Sequence, residues 1–272
     1  MNSEVNLVDK VALVTGGGRG LGRAFAQALA AAGTSVAITA RSEDQLAETV
    51  KLIVEAGGRA ISIPGDVSNP HDVDRVVSTV EEQLGPVDIL VNNAGVLDPL
   101  GHTWEVSPDA WWKLFEINVR GPFLYAQAVL SSMIPRNSGR IINISSVGAH
   151  VQYADASAYC GSKAALTSLT NNLAAEIRSA GLAISIFAYA PNMVHTTLYD
   201  RLGEYFENAR RNLDEGRDRP MERAVEMFMF LASGKADALS GRHISISDDA
   251  SDLLNRVEEI EQKDLYTLRL SI

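Results

Sequence analysis

A tyrosine and a lysine spaced four residues apart are the side chains in this sequence that first indicate chemistry. Tyr159 and Lys163 belong to the segment AYCGSK, in which the lysine is the only charged residue. Four residues correspond to about one helical turn, so a helix places both side chains on the same face. A chance pair on a solvated helix is the simplest interpretation, and such a pair stabilises a helix by only about 0.3 kcal/mol. A catalytic interpretation needs support from the surrounding residues.

A nearby ammonium group can change the acidity of a tyrosine. A free tyrosine has a pKa of about 10 and is therefore a poor base at neutral pH. An ammonium about 4 Å away, at an effective dielectric constant of about 20, favours the phenolate by roughly 4 kcal/mol, or about three pKa units at most. We therefore expect Lys163 to lower the pKa of Tyr159, so that the phenol exchanges a proton with an alcohol or alkoxide. Ser145 and Ser146 end an apolar run upstream, where a hydroxyl could hold the substrate oxygen.

A glycine-rich loop near the N-terminus indicates nucleotide binding. Gly16, Gly20 and Gly22 lie in VTGGGRGLG (14–22), between a β-rich run and an alanine-rich helical pattern. Glycines in this context permit a tight turn and a close approach of the backbone to a phosphate. The N-terminus of the following helix then offers free N–H groups and a partial positive charge. The context favours a dinucleotide site over the alternative, a purely structural turn.

Seven apolar runs alternate with helical patterns and predict the elements that hold these residues. The runs are 10–15, 35–40, 59–64, 87–92, 140–145, 183–189 and 243–247. Most are continuously apolar, as in strands buried on both faces of a parallel sheet. The alternation predicts a single α/β domain with a doubly wound parallel sheet of about seven strands. Residues 195–222 form a polar, arginine-rich segment between the last two strands.

The composition argues against several classes of partner. Of the 272 residues, 46% are hydrophobic and 21% are charged, as in a globular protein. The net charge of −10, without a basic run, argues against nucleic acid or an anionic membrane. No apolar run approaches the roughly 18 residues of a membrane span, and the start does not read as a signal peptide. The single cysteine, Cys160, fits a reducing compartment, and five histidines show no metal-ligand spacing. We expect a cytoplasmic protein without a metal site.

From about residue 8 to 247, the chain resembles the classical short-chain dehydrogenase/reductase family. The family's T-G-x-x-x-G-x-G pattern, its N-N-A-G segment and its Y-x-x-x-K pair occur in order. The matching residues are Thr15, Gly16, Gly20, Gly22, Asn92, Asn93, Ala94, Gly95, Tyr159 and Lys163. The resemblance implies a Rossmann-type catalytic domain, which we place over residues 1–250 with 195–222 as its substrate-loop segment. Residues 251–272 would form a C-terminal helical extension.

The resemblance also implies a reaction, the transfer of hydride between a nicotinamide and a carbonyl or alcohol carbon. Tyr159 would act as acid or base, while Lys163 tunes it and binds the nicotinamide ribose. Ser146, thirteen residues before the tyrosine, would position the substrate oxygen. The backbone carbonyl of Asn118 would hold a water that relays protons from the lysine. Two alternatives remain open: a non-redox member of the family, such as an isomerase or dehydratase, and a nucleotide-sensing scaffold.

The family pattern further implies a set of cofactor contacts. They are Gly16, Arg19, Gly20, Leu21, Gly22, Arg41, Ser42, Asp66, Val67, Asn93, Ala94, Gly95, Tyr159, Lys163, Pro191, Val194 and Thr196. An NAD site usually carries an acid at the end of the second strand, where this chain has Ala40 followed by Arg41. Arg41, with Arg19 as a second cation, could pair with a 2′-phosphate, so we expect NADP(H) rather than NAD(H). Alternatively, Arg41 merely ends the strand in solvent.

The substrate is a small or medium carbonyl/alcohol pair that the sequence does not identify. Family geometry would surround the nicotinamide with His150, Tyr153, Asn192 and Met193, although His150 also fits an ordinary loop histidine. Asn192 replaces the glycine of the family's P-G-x-V-x-T motif. Asparagine tolerates a positive φ better than other residues with a side chain, so we expect the loop to keep its course.

The C-terminal residues lie outside the family pattern. We expect Ser251 to cap a helix with a narrow apolar stripe that includes Leu253, Leu254, Val257 and Ile260, followed by an apolar end. Members of the family commonly form symmetric dimers and tetramers, so a homodimer or homotetramer is expected. Residues 251–272 would pack along its interface. The alternative is a tail that folds back on its own chain.

Overall fold

A single parallel sheet forms the centre of the molecule. The computed structural model describes residues 7–192, 194, 196–215 and 219–269. The strands are β1 (Val11–Thr15), β2 (Ser35–Thr39), β3 (Arg59–Ser62), β4 (Ile89–Asn92), β5 (Gly139–Ile144), β6 (Ile184–Ala190) and β7 (His243–Ser245). They pair in the order β3-β2-β1-β4-β5-β6-β7, and every pair is parallel. The predicted doubly wound sheet of about seven strands is confirmed.

Helices cover both faces of this sheet. They are α1 (Gly20–Ala31), α2 (Glu43–Glu55), α3 (Pro70–Gln83), α4 (Pro108–Phe115), α5 (Gly121–Arg136), α6 (Ser157–Ser179), α7 (Thr197–Tyr205), α8 (Glu207–Asp214), α9 (Met221–Ala232), α10 (Ala250–Asn255) and α11 (Val257–Gln262). A π-helical turn, Glu116–Arg120, joins α4 to α5. In the part of the chain that is described, no helix combines the length and apolar composition needed to cross a bilayer.

Alternate residues of each strand contribute to two separate apolar cores. Ala12 and Val14 of β1 belong to a core with α1, α2 and α9, where Phe25 stacks on Phe228 at a ring-centroid distance of 4.1 Å. Leu13 belongs to the core on the opposite face, with α3, α5 and α6. Because both faces are buried, apolar residues follow one another without alternation, which is the pattern that the sequence shows.

The strand order creates a crevice at the centre of the sheet. After β1, the chain moves outwards through β2 and β3, and it then returns to β4 on the other side of β1. The connections that follow β1 and β4 therefore diverge, and the carboxyl ends of these strands border an open space. The glycine loop and the residues after β4 and β5 all lie at this edge.

The segment between β6 and β7 is more helical than its polar composition indicates. Within the predicted loop segment 195–222, α7 and α8 follow one another, and α9 begins at Met221. Residues 195 and 216–218 lie outside the described part of the chain. A bridge between Val194 and Arg219 closes the base of the segment. It therefore forms a helical flap beside the crevice.

The C-terminal residues differ from the single helix that we expected. Asp249 caps the first helix by accepting hydrogen bonds from the backbone N–H of Ser251 and Asp252, so the prediction of Ser251 as the cap is wrong. The helix then breaks at Arg256 into α10 and α11, because this residue has a φ of −111°, outside the helical range. Leu253 and Ile260 are buried in the core of α1 and α9, as their spacing predicted.

Candidate active site

The glycine loop has a backbone that residues with a side chain would adopt only under strain or with steric clashes. Gly16 and Gly20 have positive φ angles of 65° and 54°, a region that residues with a side chain rarely occupy. A Cβ atom at Gly22 would lie 2.2 Å from the carbonyl oxygen of Gly16. The loop therefore closes on itself at the start of α1. The N-cap residue Arg19 supplies no side-chain acceptor to the first turn of that helix, so its N–H groups remain suited to an anionic ligand.

Hydrogen bonds hold this loop against the end of β4. The hydroxyl of Thr15 accepts hydrogen bonds of 3.0 Å from the N–H groups of Asn93 and Ala94. In return, the side-chain amide of Asn93 donates to the carbonyls of Thr15, at 2.9 Å, and Gly16, at 3.2 Å. These residues of the T-G and N-N-A-G motifs form one cross-strand network. The two motifs thus fix the crevice from both sides.

A buried polar chain links the same edge to the helix that carries the tyrosine. The amide of Asn92 donates to Asn143 of β5 at 2.8 Å, and Asn143 donates to Thr170 of α6 at 2.9 Å. All three side chains are buried. Buried polar groups are costly unless paired, so these hydrogen bonds favour the observed arrangement of β4, β5 and α6. The network therefore sets the position of α6 relative to β4 and β5.

The structure distinguishes the two neighbouring serines. The hydroxyl of Ser145 is buried and shares a 2.8 Å hydrogen bond with Thr167 of α6. Ser146 has an extended backbone, and its hydroxyl accepts a 3.1 Å hydrogen bond from the N–H of Gly148 at the crevice edge. Ser145 thus anchors α6, whereas the Ser146 hydroxyl can still donate to a ligand. This arrangement agrees with the choice of Ser146 from the family spacing.

Lys163 is buried, with its charge directed at the backbone. It is 5% exposed, and its Nζ donates a 2.7 Å hydrogen bond to the carbonyl oxygen of Ile144. The same Nζ lies 5.7 Å from the centroid of the Tyr159 ring. Burial lowers the pKa of Lys163 to about 8. The two residues therefore lie on the same side of α6, as their helical spacing predicted.

Tyr159 is less acidic than the sequence led us to expect. Burial raises the pKa of its phenol to about 12, and a contact with the hydroxyl of Ser146 offsets this only in part. The predicted lowering by Lys163 is therefore wrong for this structure. Desolvation of the phenolate outweighs the attraction of an ammonium group that is already bonded to a carbonyl. At neutral pH, the phenol carries its proton.

Asn118 braces the site from behind. It lies in the π-helical turn, a feature often found at functional sites. Its Oδ1 accepts from the N–H of Val96 at 2.9 Å, and its Nδ2 donates to the carbonyl of Val96 and to the hydroxyl of Ser162. The side chain therefore joins the loop after β4 to α6. This bracing role of the side chain is additional to the backbone role that the family pattern implies.

The far end of the crevice carries cations. Arg41 and Ser42 follow β2, and Arg19 faces the same space from the glycine loop. Among the described residues of the lining, Asp66 is the only acid. Burial opposes ionisation of Asp66, but hydrogen bonds from the N–H and hydroxyl of Ser68, together with the charges of Lys113 and Arg41, lower its pKa. Asp66 therefore stays ionised, and one of its carboxylate oxygens already accepts both hydrogen bonds from Ser68.

The loop after β6 has an asparagine with a positive φ. Asn192 has a φ of 55°, as we expected for a replacement of glycine, and its amide donates to Ser245 of β7 at 2.9 Å. Thr196 lies beside the glycine loop, 3.5 Å from where a Cβ of Gly20 would be. The loop therefore closes the crevice on the side opposite β4. Met193 lies outside the described residues.

These elements enclose a cleft of about 710 Å³, a size typical of small-molecule and cofactor sites. Twenty of the residues named from the sequence line it. They are Gly16, Arg19, Gly20, Leu21, Gly22, Arg41, Ser42, Asp66, Val67, Asn93, Ala94, Gly95, Ser146, Tyr153, Tyr159, Lys163, Pro191, Asn192, Val194 and Thr196. Asn118 lies behind the wall, and His150 packs edge-on against His243, with 5.2 Å between ring centroids, instead of facing the cleft.

Sequence reasoning missed the apolar part of the lining. Leu97, Val147, Ala156, Leu202 and Phe206 all face the cleft. Most are ordinary apolar residues without a motif. A signal existed for the last two, which are four residues apart in the segment already assigned to substrate binding. No group of three or more metal-ligating side chains occurs among the described residues.

Comparison with known proteins decides the family. A sequence model described as short chain dehydrogenase matches residues 10–205. The chain belongs to the short-chain dehydrogenase/reductase family. It is 38% identical to a short chain dehydrogenase of Pseudocercospora fijiensis, over 98% of this chain and 91% of the relative. Short-chain dehydrogenases/reductases are NAD(P)-dependent oxidoreductases, so this chain is an enzyme of that class.

Solved structures of the family share the fold. Levodione reductase superposes with a TM-score of 0.82 at 30% identity, covering 88% of this chain and 96% of the other. A variant of actinorhodin polyketide ketoreductase with NADPH superposes with a TM-score of 0.80 at 32% identity, covering 87% and 95%. The fold described above is therefore that of short-chain dehydrogenases/reductases.

Proposed function

We propose that this enzyme is an NADP(H)-dependent oxidoreductase that interconverts a carbonyl and an alcohol, with Tyr159 as the acid/base. The observation that supports this most directly is the position of the Tyr159 phenol beside the hydroxyl of Ser146, in a cleft that continues to the glycine loop. When bound, the nicotinamide cofactor supplies or accepts the hydride. The protein orients the substrate oxygen and moves its proton.

The residues at the cleft fit a nicotinamide dinucleotide. The glycine loop lacks room for a Cβ at Gly22 and leaves the N-terminus of α1 to bind the pyrophosphate. Lys163 would bind the nicotinamide ribose, and the backbone of Val194 and the hydroxyl of Thr196 would contact the carboxamide. These assignments follow the family pattern, and the residues concerned all line one cleft.

Proton transfer is the task of Tyr159, Ser146 and Lys163. The phenol is protonated at neutral pH because its pKa is about 12. In carbonyl reduction, it can donate that proton to the oxygen as negative charge develops there. Ser146 would hold the oxygen by a hydrogen bond. The ammonium of Lys163 would stabilise the phenolate left behind, an interaction that becomes favourable only once the proton has moved.

The charges at the far end of the cleft favour NADP(H). Ala40 occupies the place of the acid that usually binds a ribose 2′-OH, and Arg41 and Arg19 lie beside it. Asp66 remains, but it is held by Ser68. A 2′-phosphate would gain charge-assisted hydrogen bonds from the two arginines. The ketoreductase relative was solved with NADPH.

The substrate end of the cleft points to a neutral, mainly apolar carbonyl compound. Leu97, Val147, Ala156, Leu202 and Phe206 form its described surface, with the hydroxyl of Tyr153 as a polar group. Besides buried Lys163, the charged residues of the described lining are Arg19, Arg41 and Asp66, all at the nucleotide end. A charged substrate would lose its hydration without gaining a partner. Both structural relatives are reductases by name, one of levodione and the other of a polyketide.

A substrate panel tests the proposal. Purified enzyme is incubated with NADPH or NADH and a series of neutral ketones, aldehydes and charged oxo acids, and oxidation of the cofactor is followed by absorbance. We expect turnover of neutral apolar ketones with a preference for NADPH. Preference for NADH would refute the cofactor assignment. Cofactor binding without turnover of any carbonyl or alcohol would favour the non-redox or nucleotide-sensing alternatives.

A further inference from the structure

A histidine from the last strand reaches the catalytic serine from behind. The Nε2 of His243, at the start of β7, lies 3.3 Å from the carbonyl oxygen of Ser146. A carbonyl can only accept a hydrogen bond, so this contact requires the tautomer with the proton on Nε2. His150, at the end of the turn that follows Ser146, packs edge-on against the same imidazole. His243 thus contacts the serine loop at two points.

The backbone of His243 is fixed by the C-terminal residues. Its N–H donates a 2.8 Å hydrogen bond to the carbonyl of Tyr266, and Ala188 of β6 pairs with it on the other side. The neighbouring Arg242 is buried and bonds to the carboxylate of Asp264 and, at 2.9 Å, to the carbonyl of Leu265. We call residues 264–268 the C-terminal strap.

The strap is also tied to the helix that carries the catalytic pair. Asn171 of α6 donates a 2.6 Å hydrogen bond to the carbonyl of Gly241 and accepts a 3.3 Å hydrogen bond from the N–H of Leu268. One side chain therefore connects α6, the residues before β7 and the strap. The helix of Tyr159, the strand of His243 and the loop of Ser146 form one connected unit.

We propose that His243 is a positioning residue for Ser146 and that the C-terminal strap holds it in place. The inference rests on the proposed role of Ser146 in binding the substrate oxygen. Ser146 has an extended backbone with φ −162° and ψ 158°, and its carbonyl and its side chain both branch from the same Cα. A hydrogen bond to the carbonyl restricts ψ and with it the direction of the Cα–Cβ bond, while the N–H of Gly148, which donates a 3.1 Å hydrogen bond to the hydroxyl, restricts its rotation about that bond. Small displacements of such a group are expensive, since a shift of about 1 Å can cost roughly 10²-fold in rate.

His243 suits this role because it stays neutral. Burial and the proximity of His150 lower its pKa to about 4, although hydrogen bonds to backbone carbonyls oppose this. The hydrogen bond to Ser146 therefore persists across the neutral range without adding a charge near the phenol. A permanently charged donor here would shift the acidity of Tyr159 as well as hold the serine.

Substitutions that separate shape from hydrogen bonding test the proposal. His243→Leu fills the space of the imidazole but removes the hydrogen-bond donor. His243→Gln retains an N–H donor on a side chain of similar length. We expect His243→Leu to lower kcat for ketone reduction by about tenfold, the effect of one hydrogen bond, with little change in the KM for NADPH. His243→Gln should recover most of this loss. Ser240→Ala is the matched control. It removes the hydroxyl that accepts a 3.0 Å hydrogen bond from the N–H of Ile186 at the same β6–β7 junction, and Ser240 makes no hydrogen bond with Ser146.

A double mutant shows whether His243 acts through the serine. With Ser146→Ala already present, adding His243→Leu should cause no further loss of kcat, because the group that it positions is gone. Multiplicative losses would overturn the inference, as would equal kcat values for His243→Leu and Ser240→Ala. If Ser146→Ala alone retains parental turnover, the proposed function itself is at fault.

A measurement on the unmodified enzyme covers the case in which the variants fold poorly. Imidazole ¹⁵N chemical shifts identify the tautomer of each histidine at neutral pH. We expect the His243 resonances of the neutral Nε2–H form. A neutral Nδ1–H form could not donate to the Ser146 carbonyl and would overturn the proposal.

Discussion

At the scale of single residues, the active site depends on groups that are kept out of water. The sequence predicts roles for Tyr159 and Lys163 from their helical spacing, and for Ser146 from the spacing that the family resemblance implies, because such spacings are visible in a sequence. The acidity of Tyr159 was not, because its pKa depends on how deeply the ring is enclosed. Burial raises the pKa of the phenol and lowers that of the lysine, so both groups favour their neutral forms more than free side chains do.

Removal of the phenol hydroxyl should stop the chemistry. Tyr159→Phe keeps the packing of the ring but deletes the proposed proton donor, so we expect kcat to fall by about 10²-fold or more. The Kd for NADPH, measured by fluorescence titration, should change little. A variant that turns over within a few-fold of the parent would show that another group supplies the proton.

The pH profile should report the ionisation of Lys163. A lysine is charged below its pKa, here about 8, and neutral above it. Because the charged form stabilises the developing phenolate, kcat for reduction should be level at neutral pH and fall as the pH rises through about 8. Lys163→Arg keeps its charge over this range, so any residual activity of this variant should lack the fall. A level parental profile up to about pH 10 would contradict the assignment, because free lysine loses its proton only near there.

At the scale of elements, hydrophobic periodicity predicted the strands of the sheet well and the C-terminal helical region poorly. Each strand begins within one residue of the start of its predicted run, except β4, which begins two residues later than expected. Burial on both faces leaves a clear signal in such runs. The C-terminal helix was misjudged because Ser251 and Asp249 are both good caps. Choosing between them depends on where β7 ends, which short-range patterns do not reveal.

The flap formed by α7 and α8 is attached to the opposite side of the cleft by an ion pair. Arg201 of α7 donates to the carboxylate of Asp98, in the loop after β4, at 3.1 Å, and both side chains are about half exposed. Exposed ion pairs contribute at most about 1 kcal/mol. The ion pair therefore holds the flap only weakly at this point, and we expect it to open there when a substrate enters or leaves.

Breaking this ion pair should affect binding more than chemistry. We expect Arg201→Ala to raise the KM for the ketone by a few-fold, about the effect of 1 kcal/mol, and to leave kcat within about twofold. High salt should produce the same change in the parent, because exposed charges are screened. Arg256→Ala is the control, since Arg256 makes similar surface ion pairs with Asp252 and Glu259 away from the flap. Identical KM values for the two variants would exclude a role in closure.

At the scale of the whole molecule, the C-terminal region has two sides. Leu253 and Ile260 pack into the chain's own core, and Leu265 and Tyr266 pack against it. Leu254 and Leu268 are 41% and 39% exposed on the outer side. The inward contacts agree with a tail that folds back on its own chain. The outward residues leave the predicted packing of residues 251–272 along a subunit interface open to test.

A charge on the outer side should reveal such an interface. If residues 251–272 pack between subunits of a homodimer or homotetramer, Leu254→Glu and Leu268→Glu place carboxylates in a desolvated contact. Light scattering should then show a smaller particle for these variants. Val54→Glu is the matched control, since Val54 is an exposed apolar residue on α2. An unchanged mass for the tail variants would mean that the tail serves its own subunit only.

The strap that holds His243 also bears on how the enzyme is made. A ribosome releases the glycine loop well before residues 264–268, at roughly 5–20 residues per second. Tyr159 and Lys163 emerge many seconds before the residues that secure the loop of Ser146. Of the seven strands, the central strand β1 is synthesised first and the edge strand β7 last. The sheet can therefore form outwards from β1 before β7 is present to hold the loop of Ser146. Nascent chains would therefore be able to form the nucleotide loop while lacking a properly oriented Ser146, and catalytic competence would arrive only after residues 264–268 have been released.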